Sequence, residues 1–303
     1  IKKMTCVINI NMDSIDDLSF VLDVNDREKL YIAILTAQVI GVLECFASDN
    51  VVVCDDNTMA VDDQTDFDTK ITIHYNTSKK EAVKTKSELE NLGSEVFLVK
   101  ANLENQKQTE SLLKQAYLKM KGVDCLINNA SLFENDKLDN FTSKSWEKHI
   151  STNLKAPALL SKEFSKNIRG KNNNIINIID QRVFKLTPYF FSYTLSKTGL
   201  YTLTKTSAMS LSPKIRVNGI APGPTIKNKR QSEKHFKNQY LATPLKQQVD
   251  VDEICSAVDF FIKNSSITGQ VLAIDSGQSL NWQTPDTVSY THLRAHETPE
   301  HLV

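Results

Sequence analysis

Residues 174–197, NIINIIDQRVFKLTPYFFSYTLSK, decide how the chain is read. Asn174–Ile179 is an apolar run of strand length and reads as a buried strand. Asp180 stands at its end. After a loop, Tyr193 and Lys197 follow four residues apart, so in a helix they share one face. A free Tyr phenol titrates near ~10 and is a poor acid at neutral pH. An ammonium beside it is expected to favour the phenolate and bring the proton within range of general acid–base work. A strand that presents a carboxylate, followed by a helix carrying Tyr and Lys, suits the active rim of an α/β sheet. Alone, such a pair is more often an aromatic packing residue beside a solvated charge, so the flanking sequence has to decide.

Outward from this stretch, strands and helices alternate. Strands are expected at Lys70–Tyr75, Glu95–Lys100, Val123–Ile127, Lys214–Ile220 and Gln270–Ile274. Ser78 and Glu81 form a capping-box pattern that opens a helix to about Leu92, with Gly93 as its stop. A second amphipathic helix covers Asn105–Lys121, and a long one covers Ser143–Ile168 with a bend at Pro157. A helix from about Tyr189 to Ser210 ends before Pro213. A polar stretch runs to Gln248, and Asp250–Glu253 caps a last helix to about Lys263. This spacing predicts an α/β fold: a Rossmann-like, doubly wound parallel sheet with right-handed crossovers. Ligands in such sheets bind beyond the carboxyl ends of the strands. Those ends are His74–Ser78, Asn102, Asn128–Phe133, Asp180 and Ala221–Thr225.

Composition is that of a globular protein: 303 residues, 40% hydrophobic, 24% charged and no net charge. No global field favours nucleic acid or an anionic membrane. The five cysteines are scattered, with no CxxC and no clustering with histidine, which points to a reducing, cytoplasmic setting and no metal site. The averages conceal a seam. Residues 1–68 hold 14 acidic and 4 basic residues, so the remainder carries the balancing positive charge. Within them Thr5–Ile10 and Asn50–Cys54 are strand candidates. Leu30–Ala47 approaches a membrane span in length, but Gln38 and Glu44 interrupt it, so it reads as a buried helix or strand pair. The acidic run Asp62–Asp68 lacks the glycine of a calcium loop and reads as a solvated loop. At the other end, residues 286–303 have no periodicity and hold three of the six histidines; Ser289–Thr298 resembles a translated sequencing adapter. The expected organisation is a divergent or chimeric segment 1–68, a catalytic domain 69–285 and a non-native, disordered tail 286–303.

With these pieces placed, residues 69–283 resemble a short-chain dehydrogenase/reductase, and within that superfamily the pteridine reductases. The resemblance is carried by Asn128-Asn129-Ala130, by Asn153, by Tyr193 and Lys197 after Asp180, by Arg216–Gly223 and by Thr268–Gly277. The narrower likeness rests on Asp180, where most of the superfamily has Ser, on Asn-Ala-Ser ending at Ser131, and on Phe133. The resemblance implies Asp180, Tyr193, Lys197 and Asn153 as catalytic residues, with Asn153 placing a water in the proton relay. It implies a cofactor, NADPH with NADH as the alternative, held by His74, Asn76, Ser78, Asn102, Leu103, Asn129, Ala130, Ser131, Tyr193, Lys197, Pro222, Gly223 and Thr225. It implies a pterin-like small-molecule substrate met by Ser131, Phe133, Asp180 and Tyr193, with Phe133 stacked on the ring; a loop aromatic packed on the sheet rim is the other reading of Phe133. It also implies a homotetramer or homodimer.

One departure stands out. The superfamily opens with a strand and a Gly-rich turn that cradles the pyrophosphate. Here Gly41 is the sole glycine before Gly93. The first strand and the cradle are therefore expected to be absent or replaced. The seam and the adapter-like tail suggest a chimeric reading frame; the alternative is a divergent N-terminus that rebuilds the strand from Ile32–Leu35 or Val51–Val53. Two further readings stay open: a short-chain reductase of another carbonyl or C=N substrate, and a non-enzymatic relative without cofactor.

Overall fold

The computed structural model describes residues 70–91, 94–168, 172–227 and 231–282, together with the backbone of residues 5–9. Seven strands form one sheet: β1 (Thr5–Asn9), β2 (Lys70–Tyr75), β3 (Glu95–Lys100), β4 (Cys125–Asn128), β5 (Asn173–Ile178), β6 (Ile215–Pro222) and β7 (Val271–Ile274). Their order is β3-β2-β1-β4-β5-β6-β7. Every neighbouring pair is parallel. All the carboxyl ends therefore lie along one rim, and the order reverses between β1 and β4, where such sheets open a crevice.

The first strand corrects the sequence-based expectation. Thr5–Asn9 pairs on one side with Lys70–His74 and on the other with Cys125–Asn128. The central strand is present, built from the Thr5–Ile10 run, and is not replaced. The alternatives Ile32–Leu35 and Val51–Val53, the apolar Leu30–Ala47 run, the acidic run and the tail fall outside the described residues.

Seven helices are described: α1 (Lys79–Asn91), α2 (Gln106–Met120), α3 (Ser143–Ile150), α4 (Ala156–Lys166), α5 (Phe191–Leu211), α6 (Glu233–Leu241) and α7 (Val251–Lys263). Consecutive strand residues face opposite sides of a sheet, and the core divides accordingly. Ile127 and Ile176 join Ala82 and Leu89 of α1 and Val258 and Phe261 of α7. Their neighbours Leu126 and Ile175 join Leu112 of α2, Phe164 of α4 and Ala208 of α5. Helices thus cover both faces, which is why the central strands read as continuous apolar runs.

Two local expectations change and a third holds. The Ser143–Ile168 helix is divided by a π-helical turn, Ser151–Lys155, with Pro157 just after it at the start of α4. The polar stretch before Gln248 contains α6, capped by Ser232 through the His235 N–H. The expected capping box of Asp250 and Glu253 does form, at the start of α7. Among the described residues no helix is long and apolar enough to cross a membrane.

Proline has no N–H for a ladder and is confined to sheet edges. Val7 lies in a strand paired on both sides. Val7→Pro is therefore expected to abolish the cooperative urea transition followed by circular dichroism. A transition at the wild-type midpoint would remove Thr5–Asn9 from the centre of the sheet.

Candidate active site

β5 ends at Ile178, and the chain turns outward through Asp180. The Asp180 carboxylate accepts the backbone N–H of Arg182 through Oδ1 at 2.7 Å, fixing a short 3-10 turn, Gln181–Val183. Its other oxygen accepts the phenol O–H of Tyr193 at 2.7 Å. Asp180 and Tyr193, thirteen residues apart, are thus brought together as the sequence spacing suggested.

The charge state of the phenol differs from expectation. Tyr193 is 5% exposed. Its pKa lies well above the usual tyrosine value, first because burial disfavours the phenolate and then because Asp180 repels it; Arg182 and a hydrogen bond from Ser131 pull the other way. Lys197 is one turn along α5, but its ammonium donates to the Ile178 carbonyl at 2.8 Å and lies 5.9 Å from the Tyr193 ring centre. Burial, partly offset by Asp180, lowers the Lys197 pKa to about 8. The ammonium therefore does not acidify the phenol in this structure. Burial outweighs it, and Tyr193 holds its proton.

Asn153 sits in the π-helical turn, fully buried. Its side-chain amide donates to the Leu132 carbonyl at 2.9 Å and to Ser196 Oγ at 3.0 Å, and its Oδ1 accepts the Leu132 N–H at 2.7 Å. Both amide protons are spent inside the protein. The Asn153 side chain clamps the loop after β4 to α5 and has no proton left with which to hold a relay water. Close packing supports the clamp: a Cβ on Gly199 would stand 2.6 Å from Leu154.

The loop after β4 carries the aromatic expected to meet a flat substrate. Phe133 is half-buried. Phe190 stacks on it with ring centres 4.4 Å apart and planes at 6°, and Tyr193 meets it edge-on at 4.6 Å. The Arg182 guanidinium lies against both phenylalanines, 4.6 Å from Phe190 and 5.8 Å from Phe133. So Phe133 is packed on the rim, one face taken by Phe190, and also faces the phenol.

The expected cofactor contacts divide. Asn129 and Ser131 are half-buried at the end of β4, and Ala130 packs into the core. Pro222 ends β6 and Gly223 follows it. The Gly223 N–H bonds to the Ile274 carbonyl at 2.8 Å, and a Cβ at Gly223 would come within 2.5 Å of the Asp275 backbone, so only glycine fits there. Thr225 is buried and bonds to the Gly223 carbonyl at 3.2 Å. Asn76 and Ser78 follow β2 on the same rim. His74 is not on the surface of that rim: it is 1% exposed, with Nε2 2.8 Å from the Ala101 carbonyl. Leu103 is a core residue, and Asn102 Oδ1 accepts the Glu104 N–H in its own turn. The side chains of His74 and Leu103 are therefore committed to the protein rather than to a ligand.

A nicotinamide dinucleotide suits what remains. The Ile178 carbonyl takes one Lys197 N–H, which leaves two of its three donors, among the described residues, for ribose hydroxyls. A buried ammonium with spare donors calls for an oxygen-rich ligand. The segment that follows Asn9, where a pyrophosphate would be met, lies outside the described residues.

Comparison with known proteins shows the family. The family profile described as Enoyl-(Acyl carrier protein) reductase matches residues 63–279, and the chain belongs to the short-chain dehydrogenase/reductase superfamily. The crystal structure of FolM alternative dihydrofolate reductase 1 from Brucella canis, complexed with NADP, is similar at 32% identity; it covers 94% of this chain and 98% of that one, with a TM-score of 0.72. The corresponding Brucella suis protein, in complex with NADP, is 31% identical over 93% and 98%, with a TM-score of 0.71. The 3-oxoacyl-[acyl-carrier-protein] reductase FabG of Staphylococcus epidermidis is 28% identical over 213 residues, 68% of this chain and 87% of that protein. Within the superfamily the chain is thus similar to the FolM proteins.

Five residues of the site went unread in the sequence: Asp136, His149, Arg182, Phe190 and Ser192. His149 is fully buried, with Nε2 accepting the Glu134 N–H at 3.1 Å and Nδ1 2.7 Å from Ser192 Oγ. Because a backbone N–H can only donate, Nε2 accepts and Nδ1 carries the proton. Burial holds its pKa below the usual histidine value, against smaller opposing effects of Asp136 and Glu134. The folded state therefore takes up this proton at lower pH than the unfolded chain does. Stability from this group is complete above the unfolded value near ~6.5 and is lost as pH falls from there toward the depressed folded value. Urea unfolding midpoints of wild type should fall more over that window than those of His149→Gln; equal slopes would show that His149 is not held neutral.

Proposed function

We propose that the chain is an NADPH-dependent reductase of a pteridine-type substrate, a dihydropterin or dihydrofolate. The observation that carries this reading is the protonated Tyr193 phenol bonded to the Asp180 carboxylate, with the Phe133 ring edge-on to it. The FolM proteins, bound to NADP, support it at 32% and 31% identity. NADH remains the alternative donor, because His74 is turned into the protein and does not offer its ring to a 2′-phosphate.

When bound, the reduced nicotinamide supplies a hydride to the substrate ring. The chain supplies position and a proton. Lys197 holds ribose hydroxyls with the donors that the Ile178 carbonyl does not use. Tyr193 enters with its proton on, as the direction of its pKa requires, and donates it to the ring as negative charge develops there. Asp180 orients that phenol. Arg182, beside the aromatic pair, offsets the charge left behind. The buried Cys125 supports a reducing cytoplasm, and the helices that carry Asn153 and Tyr193 form the contact of a homodimer or homotetramer.

A second reading, reduction of a different carbonyl such as a 3-oxoacyl thioester, is favoured by the Phe190 ring that covers one face of Phe133 and by the likeness to FabG. The two separate in a steady-state assay of NADPH consumption. Dihydrobiopterin or dihydrofolate should be reduced; reduction of a 3-oxoacyl thioester with neither pterin consumed would replace the first reading by the second. Tyr193→Phe should lower kcat by about 10²–10⁴-fold, the range of a lost general acid, with NADPH affinity retained. Retained turnover would assign the proton to another group.

The Lys197 ammonium gives a further expectation. Its pKa of about 8 means that its charge is lost as pH rises through that value. NADPH affinity measured by fluorescence titration should weaken above that pH, and Lys197→Arg, which stays charged, should flatten the profile. A flat wild-type profile would mean that Lys197 does not hold the cofactor.

A further inference from the structure

Helix α5, which carries Tyr193, begins without a cap of its own. Its N-cap residue is Phe190, with φ 58° and ψ 46° and no side-chain acceptor. Left-handed backbone at a bulky residue is unusual and persists only where the surroundings impose it. A helix start leaves several N–H groups unsatisfied, and a Ser, Thr, Asp or Asn at the cap ordinarily takes one.

Here the acceptors come from the loop after β4. Asn135 Oδ1 accepts the Phe190 N–H at 3.3 Å, the Asp136 carbonyl accepts the Phe191 N–H at 3.1 Å, and Asp136 Oδ1 accepts the Ser192 N–H at 3.0 Å. The Asp136 and Ser192 positions are 56 residues apart in sequence. The Ser192 hydroxyl then donates to Asp136 Oδ2, and Nδ1–H of His149 donates to Ser192 Oγ at 2.7 Å. His149 in turn accepts the N–H of Glu134, next to Phe133. Asp136 is 6% exposed, and Ser192 and His149 are 0% exposed. This is therefore not a nucleophilic triad, since no substrate reaches the serine. A carboxylate at a helix N-terminus is also favoured by the helix dipole.

We propose that Asp136, Ser192 and His149 form a cap delivered from across the site, and that they are positioning residues that fix the Phe133 loop against Tyr193 for proton transfer. This rests on Tyr193 being the donor in the reaction proposed above. Each hydrogen bond of the network ends either on the loop that carries Phe133 or on the turn before Tyr193, and on α3, which holds His149. Loosening it changes the distance between the ring-binding side of the cleft and the phenol, while the Lys197 end of the site keeps its own anchor on Ile178.

Asp136→Asn is the sharpest probe. It keeps an oxygen for the Ser192 N–H but replaces the second acceptor by an amide that donates, which strands the Ser192 hydroxyl proton. The variant should lose turnover of dihydrobiopterin by up to about a hundredfold, the cost of a displacement on the order of 1 Å at a reacting group, with NADPH affinity within about twofold of wild type. A second measurement needs no substrate. In ¹⁹F spectra of protein labelled with 3-fluorotyrosine, the Tyr193 line is identified by its absence from Tyr193→Phe. Asp136→Asn should shift that line and leave the other tyrosine lines in place. An unmoved Tyr193 line, or wild-type turnover beside a moved one, overturns the proposal. A moved line in a protein whose wild type reduces no pterin upholds the cap and removes the substrate reading instead. Should Asp136→Asn fail to fold, His149→Gln, which leaves Asp136 and Ser192 in place, is judged by the same line.

Discussion

A phenol that is almost wholly buried and bonded to a carboxylate keeps its proton at neutrality until a base comes within reach, and that constraint governs the rest of the site. The 2.7 Å contact between Tyr193 and Asp180 joins the end of β5 to the second residue pair of α5. Both elements must therefore be held in register. The sheet holds one: β5 pairs with β6 along its whole length and with β4 over Asn174–Asn177. The other is held by packing of α5 on β6 and on the π-helical turn, and by the loop acceptors at its start. A protonated Tyr suits a reductase, which needs a proton delivered, better than an enzyme that must strip one from an alcohol. The same environment that keeps the proton on Tyr193 draws the Lys197 pKa down to about 8, so the two groups are moved apart from each other by one cause, burial.

Most of the sheet was legible because its strands are buried on both faces and read as short apolar runs between turn residues. The bounds of β2 and β3 fell where the pattern placed them, and the Asp180–Tyr193 pair came from a helix repeat and a strand end. The first strand was harder for a definite reason. Thr5–Asn9 has a strand-like composition, but its partners begin at Lys70 and Cys125. Nothing local says which of several short apolar runs in an acidic segment will fill the gap between β2 and β4; only the sheet itself does. A glycine-poor segment lacks the signature of a cradle, but a strand needs no glycine, and Thr5–Asn9 forms without one.

The site residues that went unread share a feature. Asp136, His149 and Ser192 act through contacts across dozens of residues, and each looks ordinary in its own neighbourhood. Periodicity reports which face a side chain takes and is silent about which distant backbone N–H it will meet. Phe190 is a related case. A phenylalanine before a helix carries no cap signal, and its left-handed backbone is the consequence of acceptors supplied from elsewhere. Conversely, His74, Asn102 and Leu103 are cofactor contacts by the resemblance, and the structure uses two of their side chains to finish the protein interior. Position on the rim is necessary for ligand contact and does not by itself aim a side chain outward.

What divides a pterin site from a site for a smaller carbonyl is the use made of Phe133. Its ring has one face against Phe190 and one edge against Tyr193. A stacked aromatic pair gains about 0.5–1.5 kcal/mol beyond the area it buries. A flat heteroaromatic ligand that took the place of Phe190 would recover much of that same term, so the exchange is close to neutral in stacking. The balance then falls to groups that a ligand can engage and Phe190 cannot: the Asp180 carboxylate and the spare donors of Arg182, whose Nη1 is bound only weakly, to Thr187 at 3.2 Å. A ring bearing both hydrogen-bond donors and acceptors at its edge satisfies these groups. A simple ketone, with an acceptor and no donor, engages only the Arg182 side of the pair. Under the pteridine reading proposed above, the polar edge of the substrate, more than its flatness, would be what these groups discriminate.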